Sequence, residues 1–332
     1  VEVVKKEKDS DHVLEGAVFA LCAKEDITGA DGKVILKADT VIEELATDKE
    51  GKLTFTADLP IGFAYYIKET SPASGFATTD EIQEFTFEYE GAEKEKVSYA
   101  FTFEDEPTVI EITKTSLTDG KELEGAKLQV TDESGKVVDS WTSGKEAHII
   151  KELVVGQKYT LTETKPADGY VTAESITFTV EDTAKPQKIE MKDDVTKVEI
   201  SKTDITTGKE LEGAKLQIIR KDGTVLEEWI TDGKPHSVVK LPVNEELTLR
   251  EITAPDGYEI AEDVTFTLKD TMEVQKVEMK DVRTPEKTTE KTNAPKTGDN
   301  QKVWAFVLLA LASAGTVTGV TVYRRKKSRM TE

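Results

Sequence analysis

The chain has one cysteine, Cys22, in 332 residues. An intramolecular disulfide is therefore excluded, and so is the disulfide framework of small secreted domains. Cys22 itself reads as a packing residue. Histidine is scarce: only His12, His148 and His236 occur. No Gly-rich phosphate loop, zinc-ligand spacing or nucleophile elbow is present. Catalysis on an external substrate is thus the least supported function, and neither a cofactor nor a metal is expected. Positive charge is short as well. Lys and Arg number 44 against 65 Asp and Glu, a net charge of −21. The last nine residues, 324–332, hold five basic residues and one acid, a net of +4, so −25 falls on the rest. An acidic body of this kind excludes nucleic acid as a partner, which needs a basic face. The body also lacks a long amphipathic helical pattern and any apolar run long enough to cross a membrane.

Repetition fills the body. Glu111-Ile112-Thr113-Lys114 recurs as Glu199-Ile200-Ser201-Lys202, and Leu123-Glu124-Gly125-Ala126 recurs as Leu211-Glu212-Gly213-Ala214. Trp141 recurs as Trp229, His148 as His236, and Asp168-Gly169-Tyr170 as Asp256-Gly257-Tyr258, always 88 residues later. A longer N-terminal unit carries the same element as Leu14-Glu15-Gly16-Ala17. Three units follow from this, over 1–107, 108–195 and 196–283. The repeat slot shared by the tryptophans and by two histidines reads as structural. Within the units, segments such as 175–180 and 264–268 alternate apolar and polar residues, and Gly, Asp and Pro clusters separate them. The predicted fold class is all-β, with tandem Ig-like sandwiches. The chain opens on Val1-Glu2-Val3-Val4, already in a strand pattern and without an initiator Met. It is read as a segment of a longer surface protein.

Strand parity exposes nine misplaced charges. Residues i, i+2 and i+4 of a strand share a face. Val1 and Val3 share theirs with Lys5, Ile110 and Ile112 with Lys114, and Val198 and Ile200 with Lys202. Later in each unit, Tyr65 and Ile67 precede Glu69, Tyr159 and Leu161 precede Glu163, and Leu247 and Leu249 precede Glu251. In the last strands, Phe101 and Phe103 precede Asp105, Ile189 and Met191 precede Asp193, and Val277 and Met279 precede Asp281. Each Lys stands 11 residues before the Gly of its Gly-Ala element. A core Lys with two core acids is costly as ions. Burial disfavours the charged form of an amine and of a carboxyl alike. A neutral amine then faces a neutral acid at near-attack distance, and the Glu can hydrogen-bond the Asp carboxyl and move protons. Loss of water leaves an isopeptide bond, with expected pairs Lys5–Asp105, Lys114–Asp193 and Lys202–Asp281.

These residues, with Gly-Ala and the segment from Tyr159 to Tyr170, resemble the Cna B-type, prealbumin-like (SpaA-type) domains of Gram-positive adhesins and pilins. The resemblance implies a prealbumin-like sandwich in each unit and the intramolecular bond argued above, with Glu69, Glu163 and Glu251 as its catalytic acids. Many members carry Asn as acceptor; Asp stands at all three sites here. The first unit departs further, having longer loops and Ser74-Gly75-Phe76 in place of Asp-Gly-Tyr. Lys6 beside Lys5 leaves two candidate donors there.

The C-terminal end has its own pattern. Val303 to Tyr323 is a run of 21 residues without formal charge, followed by Arg324-Arg325-Lys326-Lys327. At about 1.5 Å per residue it is long enough for a single transmembrane helix across about 30 Å of hydrocarbon. The basic tail 324–332 places that end in the cytoplasm and the acidic body outside. A Pro/Thr/Lys linker at 284–293 precedes Ala294-Pro295-Lys296-Thr297-Gly298. Motif, apolar run and basic tail together resemble the LPxTG-type cell-wall sorting signal of Gram-positive bacteria, with Ala294 where Leu is usual. The resemblance implies a sortase that cuts between Thr297 and Gly298 and passes the Thr297 acyl group to a peptidoglycan or pilin amine. The expected location is the cell surface, anchored in the wall, after a single-pass membrane precursor. Three functions remain open: a stiffened stalk, an adhesin whose sandwich faces bind a host extracellular ligand, and a polymerised pilin subunit. Thr297→Ala is expected to leave the protein in the membrane fraction with 298–332 attached. Wall digests of the native host should instead release a chain ending at Thr297, and a native chain always recovered with its basic tail contradicts the assignment.

Overall fold

The computed structural model describes residues 1–88, 91 and 97–285. The sorting motif 294–298, the apolar run 303–323, the basic tail and nearly all of the linker lie outside them. Among the described residues there is no α-helix, and none long and apolar enough to cross a membrane. Everything regular is β.

The first unit contains β1 (Glu2–Glu7), β2 (Val18–Ala23), β3 (Ile27–Thr28), β4 (Val34–Leu36), β5 (Val41–Ala46), β6 (Lys52–Thr54), β7 (Ala64–Ser71), β8 (Ile82–Thr86) and β9 (Ala100–Asp105). The second contains β10 (Val109–Ser116), β11 (Lys127–Asp132), β12 (Val137–Thr142), β13 (His148–Lys151), β14 (Lys158–Lys165), β15 (Ile176–Thr179) and β16 (Gln187–Asp193). The third contains β17 (Lys197–Asp204), β18 (Glu212–Arg220), β19 (Val225–Asp232), β20 (His236–Val239), β21 (Glu246–Thr253), β22 (Val264–Thr267) and β23 (Gln275–Asp281). Each unit has a three-stranded sheet and a four-stranded sheet. The orders are β6-β1-β9 with β5-β2-β7-β8, β13-β10-β16 with β12-β11-β14-β15, and β20-β17-β23 with β19-β18-β21-β22. The first unit's extra length includes a two-stranded hairpin, β3-β4.

In every unit the first and last strands pair in parallel. A parallel pair needs a long crossover, and here the rest of the unit supplies it. The chain thus enters at one end of a unit and leaves at the other, as an end-to-end series requires. Alternation along the strands packs one face of each sheet into the core. Val3, Phe19, Leu21, Tyr65, Ile67 and Phe103 form the centre of the first core, with the Phe19 and Phe103 rings 4.8 Å apart. Ile112, Leu128, Val130, Leu161 and Met191 do so in the second, and Ile200, Leu216, Ile218, Leu249 and Met279 in the third. Each such side chain contributes about 1.5–3 kcal/mol by leaving water.

The repeated aromatics belong to this packing. Trp141 and Trp229 are half-buried against their cores and stack on His148 and His236, with ring centroids 4.0 and 4.5 Å apart. Asp139 Oδ2 lies 2.8 Å from His148 Nε2, and Glu227 Oε1 lies 3.3 Å from His236 Nε2. Cys22 is fully buried beside Ala20 and Tyr66.

Gly51 sits where the chain turns into β6, in the left-handed region at φ 70°. A Cβ there would stand 2.6 Å from the Lys5 carbonyl oxygen and 2.7 Å from Val13 Cβ, while its own carbonyl accepts the Lys5 N–H at 2.8 Å. Gly51→Ala is expected to destabilise the first unit by more than about 1 kcal/mol, read as a lowered first-unit transition in calorimetry with the other two unmoved.

Candidate functional site: a buried Lys–Glu–Asp triad in each unit

Each triad is assembled from both sheets. The Lys comes from the first strand (Lys5, Lys114, Lys202) and the Asp ends the last strand (Asp105, Asp193, Asp281). The Glu comes from the four-stranded sheet facing them (Glu69, Glu163, Glu251). The parallel register sets Lys5 opposite Phe103, Lys114 opposite Met191 and Lys202 opposite Met279. The Asp lies two residues further on, on the same face. A lysine stem spans that step, so the amine meets the carboxyl without distorting either strand.

All nine side chains are inside, none more than 6% exposed. Each Lys Nζ donates to the Asp Oδ1 of its own unit. It also lies 3.0, 2.9 and 3.0 Å from Oε1 of Glu69, Glu163 and Glu251. The other Glu oxygen is fixed by backbone. Oε2 accepts the N–H of Thr79 at 2.8 Å, of Ala173 at 2.7 Å and of Ala261 at 2.6 Å. In the first unit the amine also lies over the Phe19 ring, 5.4 Å from its centroid. Lys6 points outward to Glu104 at 3.0 Å and is half-exposed, so Lys5 is the residue that meets Asp105.

Burial dominates the electrostatics. It pushes the Glu69 and Asp193 carboxyls up to about 7, against the pull of Lys5 and Lys114. It raises Asp105 and Asp281 above the usual range in the same way. In each triad Asp Oδ2 has no hydrogen-bond partner, and Glu Oε1 meets only the Lys amine. A buried carboxylate oxygen without a partner is unfavourable. Burial favours the neutral form of the Asp carboxyl, which is raised in all three units. The site therefore favours one carboxyl as the neutral acid.

Sequence reasoning missed the three backbone donors. Thr79, Ala173 and Ala261 each stand ten residues after their Glu, a constant spacing that marks them in retrospect. It also missed why Gly-Ala recurs. Gly16, Gly125 and Gly213 take φ of 84°, 92° and 92°. The next residue is fully buried, its N–H held by Thr47 Oγ1, Ser143 Oγ or Thr231 Oγ1 at 3.1, 3.0 and 3.0 Å. Only glycine turns freely in that region.

The SpaA prealbumin-like fold domain family matches residues 1–100, 108–195 and 196–283, and the chain belongs to that family. Among solved structures it is similar to the Bacillus anthracis TIE protein, at 25% identity and a TM-score of 0.45, over 85% of this chain and 50% of that one. It thus spans half the length of that protein. It is similar to the Streptococcal ancillary pilin at 16% identity and a TM-score of 0.33, over 86% of this chain and 99% of that one. The shaft pilin SpaA of Lactobacillus rhamnosus GG matches at 15% identity and a TM-score of 0.27, over 54% of this chain and 98% of that one. No curated protein matches the chain.

The arrangement suits condensation of an amine with a carboxylic acid. The intact mass of the purified chain is expected to fall short of its sequence mass by one water for each of three bonds. Glu163→Ala should restore one water, localised by peptide mapping to the second unit. A mass equal to the sequence value rules the chemistry out.

Proposed function

We propose that the chain is a surface stalk whose units are each closed by an autocatalytic Lys–Asp isopeptide bond, and that it is joined at its C-terminal end to the cell wall. The observation that carries this reading is the buried triad, present in the same geometry three times. In the proposed reaction the Lys Nζ lone pair attacks Asp Cγ and a C–N bond forms. The Glu carboxyl donates a proton toward the Asp oxygens and accepts one from the amine. The C–O bond of the acid then breaks, and its hydroxyl leaves with a proton as water. No external substrate, metal or cofactor takes part. Backbone N–H groups at Oε2 hold the Glu so that Oε1 faces the amine, which is positioning rather than activation.

Such a bond ties the entry strand to the exit strand. Tension applied at the ends of a unit then crosses from Lys to Asp, and the residues between them carry none of it. The closed loops run from residue 5 to 105, 114 to 193 and 202 to 281. By disulfide-calibrated loop entropy, closures of that length stabilise on the order of 4–5 kcal/mol. In an acidic chain with one cysteine this replaces the disulfides of other extracellular domains. The sorting-type motif supports a location at the cell surface, with Thr297 acylating a sortase and then a peptidoglycan or pilin amine. The pilin-subunit reading uses the same three units and differs in the amine that accepts Thr297. Direct ligand binding through the repeated tryptophans is disfavoured, since both are half-buried and stacked on histidine.

The reaction needs a carboxyl that still holds its proton. Glu69 and Asp193 are raised to about 7, so the reactive form is populated below that pH and lost as pH rises through it. In freshly translated chain sampled over time, the cross-linking rates of the first and second units are expected to fall about tenfold per pH unit above about 7. A rate that rises through this range contradicts the neutral-acid mechanism.

A further inference from the structure

The loop that aims the Glu is tied down at three consecutive residues. In the first unit the Ala77 N–H donates to the Glu106 carbonyl at 3.0 Å. Thr78 donates its N–H and its Oγ1 to the two carboxylate oxygens of Asp182, at 2.8 and 2.7 Å. The Thr79 N–H donates to Glu69 Oε2. The second unit repeats the pattern. Val171 donates to the Asp194 carbonyl at 3.0 Å, Thr172 donates N–H and Oγ1 to Asp270 at 2.9 and 2.5 Å, and Ala173 donates to Glu163. In both cases the outer tie to its own unit and the inner tie to the Glu are internal, but the carboxylate between them belongs to the following unit. Asp182 lies in the second unit and Asp270 in the third, 88 residues apart.

The third unit keeps the two internal ties, Glu259 to the Val282 carbonyl at 3.0 Å and Ala261 to Glu251. Between them stands Ile260, 62% exposed, with no carboxylate partner among the described residues.

Close packing brings the clamp into place. Gly75 and Gly169, both at left-handed φ, lie so near the following unit that a Cβ on them would stand 2.8 Å from the Glu152 carbonyl oxygen and 2.6 Å from that of Lys240. The Thr108 N–H donates to the Gly75 carbonyl at 3.0 Å, and the Thr196 N–H to that of Gly169 at 3.1 Å. The same two threonines donate Oγ1 to the Leu153 and Leu241 carbonyls, 2.7 Å in each case. Docking one unit on the next therefore also delivers the carboxylate to the threonine.

We infer that Asp182 and Asp270 are positioning residues for cross-linking in the unit before their own, so that docking of each unit completes the site of its predecessor. The inference rests on the cross-linking reading of the triads. Its physical basis is the adjacency of the two contacts along the chain, since the gripped Thr is the residue just before the one whose N–H holds the Glu. The Thr78–Thr79 and Thr172–Ala173 peptides carry the N–H that holds the Glu, and a carboxylate gripping the Thr N–H and Oγ1 anchors the Cα from which that peptide starts, which limits how far its N–H can swing from the Glu. Charge-assisted pairs of this kind are the stronger class of hydrogen bond. The carboxylate of Asp182 also adds negative charge near Asp105, which helps that acid keep its proton. The third unit, without a clamp, closes by its internal ties alone.

The test is a time course on the full chain. It is made in a cell-free translation reaction, quenched by acid denaturation at intervals, and cross-linked peptides are quantified unit by unit by mass spectrometry. Asp270→Ala is expected to slow the second-unit bond by about tenfold, a loss typical of a misaligned reacting group, while the first and third units keep their rates. Asp182→Ala should slow the first unit alone. Thr172→Ser, which keeps both donors, should match the unaltered chain, and Thr172→Val, which keeps one, should fall between. Hydrogen exchange at the Ala173 amide reports whether the loop has been released. If Asp270→Ala frees that amide and the second-unit rate is unchanged, the inference is overturned. It is also overturned if all three units slow together, as a general folding defect would make them. A total absence of cross-linked peptide in the unaltered chain fails the triad reading itself and is separable from both, because the clamp-free third unit serves as the internal control.

Discussion

Everything in these units turns on a lysine amine buried between two carboxyls, at the seam between the first strand and the last. Three ionisable groups in an apolar core are unfavourable as separate charges, and removal of any one leaves the others unpaired. The fold meets that cost in several ways. The Asp accepts from the amine, one Glu oxygen is tied to a backbone N–H while the other faces the amine, and burial raises the Asp carboxyls toward their neutral form. These are also the conditions that make an amine and an acid reactive toward one another, so the place in the core that is costliest to bury is its chemical centre.

The parallel pairing gives that centre its mechanical meaning. Had the first and last strands run antiparallel, the chain would enter and leave at the same end, and a bond between them would close a loop without lying along the axis of the series. Here the Lys sits late in the entry strand and the Asp at the end of the exit strand. The Gly75 and Gly169 contacts then stack the units with their entry and exit ends in register. Chemistry, topology and packing act along the same line.

Much of this was legible in the sequence because strand parity is a strong signal. The rule that puts Ile110 and Ile112 in the core also puts Lys114 there, and nine charges obeyed it in a fixed order. Strand limits were looser: 175–180 reads as one alternating segment, but only Ile176–Thr179 forms the strand, because its ends turn into loop hydrogen bonds. What parity cannot reach is the backbone. The Thr79, Ala173 and Ala261 amides carry no side-chain signature, and the Asp182 and Asp270 carboxylates look like two more surface acids in a chain rich in them. Parity favoured Lys5 over its neighbour Lys6 as the donor without deciding between them. The choice is settled by register, since only Lys5 shares a face with Val3 and Asp105. In the third unit, Asp204 is buried and receives Tyr258 Oη at 2.7 Å and Arg283 Nε at 2.8 Å. That cluster holds its carboxyl well below the usual range. The repeat hides it, because Ser116, Tyr170 and Val195 fill the matching slots of the second unit.

Single-molecule force spectroscopy on the chain, pulled from its two ends, tests the central claim most directly. If each unit is closed from its first strand to its last, the described body extends only by the short segments outside the loops, and no unit gives an unfolding step. An unclosed second unit would release about 79 residues, roughly 27 nm at about 3.4 Å each. Traces without such steps are the expected result. Three steps of that order, one per unit, would show that the buried triads are ordinary ion pairs and that the stalk is not covalently stiffened.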